Sequence, residues 1–134
     1  MSFDKDAFIN FLLDTGAVGL FPEGRKLKSG RVSHWYANCR SMAGTAGNLE
    51  ILGNFIIDFA ADQGIECDYF YGVPEGCTKT AIITNYLKSG RDNNPDQKII
   101  MGRGKAKEHG APEDRFFIGE IAAGDNVIVL EDVT

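Results

Sequence analysis

Two neighbouring carboxylates, Glu131 and Asp132, follow directly on the apolar run Val127-Ile128-Val129-Leu130. A strand of that composition delivers both acids to its carboxyl end, the edge at which open α/β sheets bind ligands, and an adjacent pair of acceptors can hold the hydroxyls of a sugar. On residue types alone the pair suits a solvated turn as well. Cations gather in two other places. Residues 102–115 carry Arg103, Lys105, Lys107 and His109 among glycines and acids, with almost no apolar side chains. A polar stretch of that length inside a compact domain is functional or mobile. Residues 25–33 place Arg25, Lys26, Lys28 and Arg31 around the turn pair Ser29-Gly30.

A third segment, Gly72-Val73-Pro74-Glu75-Gly76-Cys77-Thr78-Lys79-Thr80, stands between an apolar run and a helical pattern. Amide groups at such a helix amino terminus attract phosphate. It is no Walker motif, because its second glycine comes one place early and Lys79 is not adjacent to it. Gly102 and Gly104 likewise lack the third glycine of a dinucleotide fingerprint, position 107 being Lys. From the turn alone, an ordinary βα connection is an equal reading.

The elements that must hold these residues follow from periodicity. Ala7, Phe8, Phe11 and Leu12 predict a helix over residues 4–13, with Ser2 as its cap and Gly16 as its stop. Residues 25–36 predict a β-hairpin about Ser29-Gly30, and Trp35 and Tyr36 read most simply as core aromatics. Asn48 is the expected cap of a helix whose stripe is Leu49, Leu52, Ile56 and Phe59 and whose end is Gly64. A strand over residues 65–71 and a helix over 78–87, with Lys88-Ser89-Gly90 as its exit, make a βα unit. Lys98-Ile99-Ile100-Met101 and residues 126–130 read as buried parallel strands.

At 134 residues the chain predicts one domain, and 43% apolar against 25% charged residues is a soluble globular balance. No apolar run is long enough to span a bilayer, and the amino terminus lacks the pattern of a signal peptide, so a cytoplasmic protein without membrane partners is expected. A net charge of −5 speaks against nucleic acid as a partner. Cys39, Cys67 and Cys77 form no C-x-x-C pair and read as reduced thiols; with only His34 and His109 to add, no structural zinc site is expected.

Taken together, three segments resemble a known family. Val129-Leu130-Glu131-Asp132-Val133-Thr134 is similar to the start of the phosphoribosyl diphosphate motif of type I phosphoribosyltransferases. Leu27-Lys28-Ser29-Gly30-Arg31-Val32-Ser33 resembles the amino-terminal hairpin of orotate phosphoribosyltransferases, and Arg103-Gly104-Lys105-Ala106-Lys107-Glu108-His109-Gly110 resembles their catalytic loop. The three occur in the family's order, and the resemblance covers essentially the whole chain.

The resemblance implies a doubly wound parallel α/β sheet under an amino-terminal helix and hairpin hood (residues 1–47, with an incomplete α/β core over 48–134). It implies transfer of a phosphoribosyl group from phosphoribosyl diphosphate to orotate, with Mg2+ carried on the diphosphate, in a homodimer with shared sites. Arg103, Lys107 and His109 match loop residues that reach the diphosphate, with Lys105 an additional cation. Glu131 and Asp132 match the acids that hold the ribose hydroxyls. Gly72, Thr78 and Lys79 fall in the diphosphate-binding loop, and Lys28 and Tyr36 match groups that approach orotate. This chain has Ala37 where the family has a second aromatic, Glu75-Gly76 where many members have Tyr-Lys, and Gly104 for a lysine. Members continue past Thr134 into a phosphate-binding nest, so a longer enzyme or a truncated product is expected. A non-catalytic binding module and a purine phosphoribosyltransferase are the rival expectations.

Overall fold

The Asp4 carboxylate accepts a hydrogen bond from the Ala7 N–H at 2.9 Å and starts α1 (Lys5–Asp14). The expected cap was Ser2; Asp4 takes the role because a charged acceptor next to the first turn meets the unpaired N–H groups and the positive end of the helix together. The computed structural model describes residues 2–132, so Met1 and the Val133-Thr134 end of the acidic motif lie outside the described residues. α1 buries Phe11 and sets Phe8 edge-on to Phe55 at 5.2 Å between ring centres.

β1 (Val18–Lys26) and β2 (Val32–Ala37) form the expected antiparallel hairpin. A short 3-10 helix, Cys39–Ala43, then leads into α2 (Ala46–Asp62). Thr45, not Asn48, is the cap. Its backbone is extended, as a cap requires, and its hydroxyl accepts from the Asn48 N–H at 3.2 Å. Leu49 and Leu52 face the core with Phe11, Met42 and Ala43. Phe59, expected on the same stripe, is half-exposed and rests edge-on to Phe3.

β3 (Tyr69–Gly72) pairs in parallel with the last strand, β6 (Val127–Leu130), from Tyr69 opposite Val127 to Gly72 opposite Leu130. β3 begins later than expected, because the Ile65 N–H still closes the end of α2 on the Ala60 carbonyl. Phe70 is buried against Ala60 of α2 and Ala81 of the next helix, with Ile128 and Leu130 beside them. That helix, α3 (Thr78–Asp92), runs past the expected exit at residues 88–90. Gly90 stays helical and Asn93, at φ 50°, ends it.

The run Lys98-Ile99-Ile100-Met101 is not a parallel strand. Only its end enters a ladder, as β4 (Met101–Gly102), antiparallel to β5 (Phe117–Ile118). The reason lies in Asn85 of α3, which has no exposed surface. Its side-chain oxygen accepts from the Phe70 N–H at 2.9 Å and its amide donates to the Phe70 carbonyl at 2.8 Å. A side chain thus fills the place of a neighbouring strand on β3. Replacing Asn85 by Leu leaves two buried peptide groups of Phe70 unpaired and is expected to cost roughly 2–4 kcal/mol in urea unfolding; a loss below about 0.5 kcal/mol contradicts this bracing role.

Candidate active site

Because β3 and β6 run parallel and in register, the segment after Gly72 and the acids after Leu130 leave the sheet at the same edge. Asp132 lies there with its side chain only 9% exposed, between Gly76 and Arg40. A Cβ at Gly76 would stand 2.5 Å from Asp132 Oδ2, so no other residue lets the loop approach so closely. Arg40 Nε donates to the same oxygen at 2.5 Å across 92 positions of sequence, and the Asp132 N–H donates to Glu131 Oε1 at 2.9 Å. The Arg40 hydrogen bond, with Glu131 second, holds the Asp132 carboxyl below the usual aspartate range.

Arg40 was missing from the expected site. The signal was present: it is the only Lys or Arg between Arg31 and Lys79. Together with Cys39, Gly76, Cys77, Glu131 and Asp132, Arg40 lines a cavity of about 290 Å3. All three cysteines are free thiols. Burial, then the charges of Asp132 and Glu131, push the Cys77 thiol up to about 11, so it stays protonated near neutral pH and is a poor nucleophile.

The loop after β3 is tightly folded. A Cβ on Gly72 would fall 2.0 Å from the Cys77 carbonyl oxygen, and the Pro74–Glu75 peptide is cis. The Cys77 N–H donates to Val73 O at 3.0 Å and the Thr78 N–H to Glu75 O at 3.4 Å, so two of the amides expected to face phosphate are engaged within the loop. Thr78 and Lys79 open α3 directly behind them.

Residues 102–115, expected as a long polar loop, form most of a hairpin that runs to residue 118. Beyond β4 and β5 the ladder continues with Arg103 N–H to Phe116 O and Lys107 N–H to Arg115 O, both at 2.8 Å, and the 3-10 turn Pro112–Asp114 precedes the returning strand. Arg103 Nε donates to the Asp114 carbonyl at 2.8 Å, bracing the hairpin from within. Lys105 and Lys107 line its concave side, a space of about 440 Å3 that includes Gly110 and Arg115. At its base Tyr71 of β3 meets Phe117 edge-on at 5.7 Å, and the Gly104 Cα faces Glu75, where a Cβ would stand 2.9 Å from Oε1. The cation-bearing hairpin therefore touches the β3–α3 loop at Glu75. Among the described residues no hydrogen bond or ion pair joins Lys105, Lys107 or His109 to Asp132.

In the amino-terminal hairpin, Tyr36 lies over Gly19 and its ring meets that of Phe21 at 4.6 Å with 30° between planes. Phe21, also missing from the expected site, shares a concavity of about 730 Å3 with Arg25, Ser33, Tyr36 and Asn38. Trp35 is 63% exposed, so it is no core aromatic. Lys28 is exposed in the turn.

Asp132 titrates with a definite sign. Its folded pKa lies below the ordinary value, so the stabilisation from the Arg40 pair is present above the ordinary aspartate pKa and is lost as pH falls through the depressed one. In a carboxyl-carbon NMR titration, Arg40→Met is expected to move the Asp132 midpoint up into the usual aspartate range; an unmoved midpoint removes Arg40 as the cause.

Among known proteins, no model of a protein family matches the chain. The chain is 28% identical over 132 residues to the orotate phosphoribosyltransferase of Pyrococcus abyssi, covering 97% of this chain and 65% of that protein. It is 30% identical over 135 residues to that of Thermococcus kodakarensis, covering 100% and 66%. The chain thus spans less than two thirds of the length of the Pyrococcus relative. In three dimensions it superposes on orotate phosphoribosyltransferase from Francisella tularensis with a TM-score of 0.71 over 96% of this chain and 57% of that one, at 19% identity. The α/β arrangement is thereby that of the orotate phosphoribosyltransferase structure it superposes on, and in sequence the chain is similar to orotate phosphoribosyltransferases over nearly its whole length.

Proposed function

We propose that this chain carries the phosphoribosyl diphosphate and orotate sites of an orotate phosphoribosyltransferase, which forms orotidine monophosphate and diphosphate in pyrimidine nucleotide synthesis. The observation that carries the reading is the position of Asp132, held by Arg40 and seated on Gly76 where two parallel strands end together. There it can accept hydrogen bonds from the ribose hydroxyls, with Glu131 beside it. As the anomeric bond breaks the sugar becomes cationic and the departing diphosphate gains charge. Arg103, Lys105, Lys107 and His109 are the groups proposed to meet that charge, with Thr78 and Lys79 below it.

Lys107 is proposed to act in the site of a neighbouring subunit of a homodimer. Its hairpin places its Nζ beside Gly110 and not on Asp132 of the same chain. Mg2+ is proposed to enter the site carried on the substrate's diphosphate. Such an ion would take most of its ligands from diphosphate oxygens and water, and when bound would neutralise part of the leaving group's charge. No described helix is long and apolar enough to cross a membrane, and a cytoplasmic location belongs to this proposal.

A second reading has its own observation. Asp132 is already paired with Arg40, and Glu75 places a negative charge in the β3–α3 loop, an arrangement that suits a binding module without turnover. Loss of orotate absorbance in the presence of phosphoribosyl diphosphate and Mg2+, compared with adenine, hypoxanthine and uracil as acceptors, separates the readings. Turnover specific to orotate is expected; retained binding without turnover favours the module. If Lys107 supplies one preorganised contact to the leaving group, Lys107→Ala lowers kcat about a hundredfold, near 3 kcal/mol. An unchanged rate removes it from the chemistry.

A further inference from the structure

The β1–β2 ladder is broken at one place, and the break lies beside the stacked aromatics. Pairing advances from Leu20 opposite Trp35 to Arg25 opposite Ser33, five residues on β1 against two on β2. Gly24 takes φ 75° inside the irregularity, and a Cβ there would stand 2.6 Å from Val32 Cγ1. Bulges of this kind re-aim the side chains that follow them. The residue re-aimed is Arg25, whose guanidinium carbon lies 4.6 Å from the centre of the Phe21 ring. Phe21 in turn stacks on Tyr36, so a cation and two rings share one concave face, with Ser33 and Asn38 at its border.

This cation is held by a ring and not by an acid. Among the described residues no carboxylate lies within ion-pair distance of Arg25, in a chain whose net charge is −5. A guanidinium keeps its charge at any physiological pH, and its planar fork matches a carboxylate through two parallel hydrogen bonds. Stacking on Phe21 fixes the fork over the aromatic floor while leaving its donor edges available. A floor of rings with a fork at its rim is complementary to a flat ring bearing one carboxylate.

We propose that Arg25 is a specificity-determining residue of the acceptor site, its guanidinium receiving the carboxylate of an acidic pyrimidine whose ring lies against Phe21 and Tyr36. The inference rests on the proposed function and deepens it by naming the group that distinguishes orotate from uracil. A base without the carboxylate still finds the rings and leaves the fork unmatched. Because charge-assisted hydrogen bonds are the strong ones, the discrimination is about ten- to a hundredfold.

Calorimetric titration of the full chain with orotidine monophosphate and uridine monophosphate tests this, since the two nucleotides differ only by that carboxylate. The native chain is expected to bind orotidine monophosphate at least about tenfold more tightly. Arg25→Gln is expected to remove most of that preference while changing the affinity for uridine monophosphate less than about twofold, and Arg25→Lys, which restores charge without the fork, to fall between. Arg25 is exposed, and circular dichroism verifies that both variants fold. Full preference retained in Arg25→Gln, or equal affinities in the native chain, overturns the role of Arg25 and leaves the acceptor site standing. Binding of neither nucleotide by the native chain overturns the acceptor site and this inference with it.

Discussion

Parallel pairing of β3 with β6 is the constraint on which the rest depends. It brings the loop after Gly72 and the acids after Leu130 to one edge although almost 60 positions separate the strands in sequence, as the Tyr69–Val127 to Gly72–Leu130 register shows. Every other part of the site is placed relative to that edge. Gly76 makes room for Asp132, Arg40 reaches it from the segment after the hairpin, and Glu75 meets the base of the cation-bearing hairpin. The pair is itself held from both sides. Phe70 packs on α2 and α3, and Asn85 supplies the hydrogen bonds that a further strand would have given.

The acidic centre shows how opposite demands are met. Two adjacent carboxylates repel each other, and burying one costs free energy unless it is paired. Here Asp132 is shielded by the loop and matched by an exposed guanidinium, and Glu131 accepts the backbone N–H between them. The same arrangement keeps Cys77 protonated, since a thiolate there would face both acids in a buried place. In the proposed reaction the Arg40 pair keeps Asp132 ionised and aimed while the cations of residues 103–109 remain separate from it.

Much of this was legible in the residues, and the parts that were not share a cause. The Ser29-Gly30 turn, the helix of α2 and the parallel strand before Glu131-Asp132 are local patterns that the structure follows, but the strand is not buried as expected, with Val127 and Val129 exposed, and Phe59 of the α2 stripe is half-exposed. The run at residues 98–101 has the composition of a buried strand, yet a single polar side chain fifteen positions beyond Phe70 holds its place on β3, which periodicity does not register. The hairpin over residues 102–118 has polar residues on both faces and so carries no alternating signal. Arg40 and Phe21 act through contacts made only when distant segments meet, although the isolation of Arg40 among uncharged neighbours was visible.

The claim that the edge of the β3–β6 pair is a sugar-diphosphate site is tested most directly by binding, without turnover. Titration calorimetry of phosphoribosyl diphosphate with Mg2+ into the native chain and into Asp132→Asn compares the two forms at equal shape. The account predicts saturable binding by the native chain, weakened about tenfold or more in the variant, as for the loss of a charge-assisted acceptor. Equal affinity of the two proteins, or no binding by either, contradicts it.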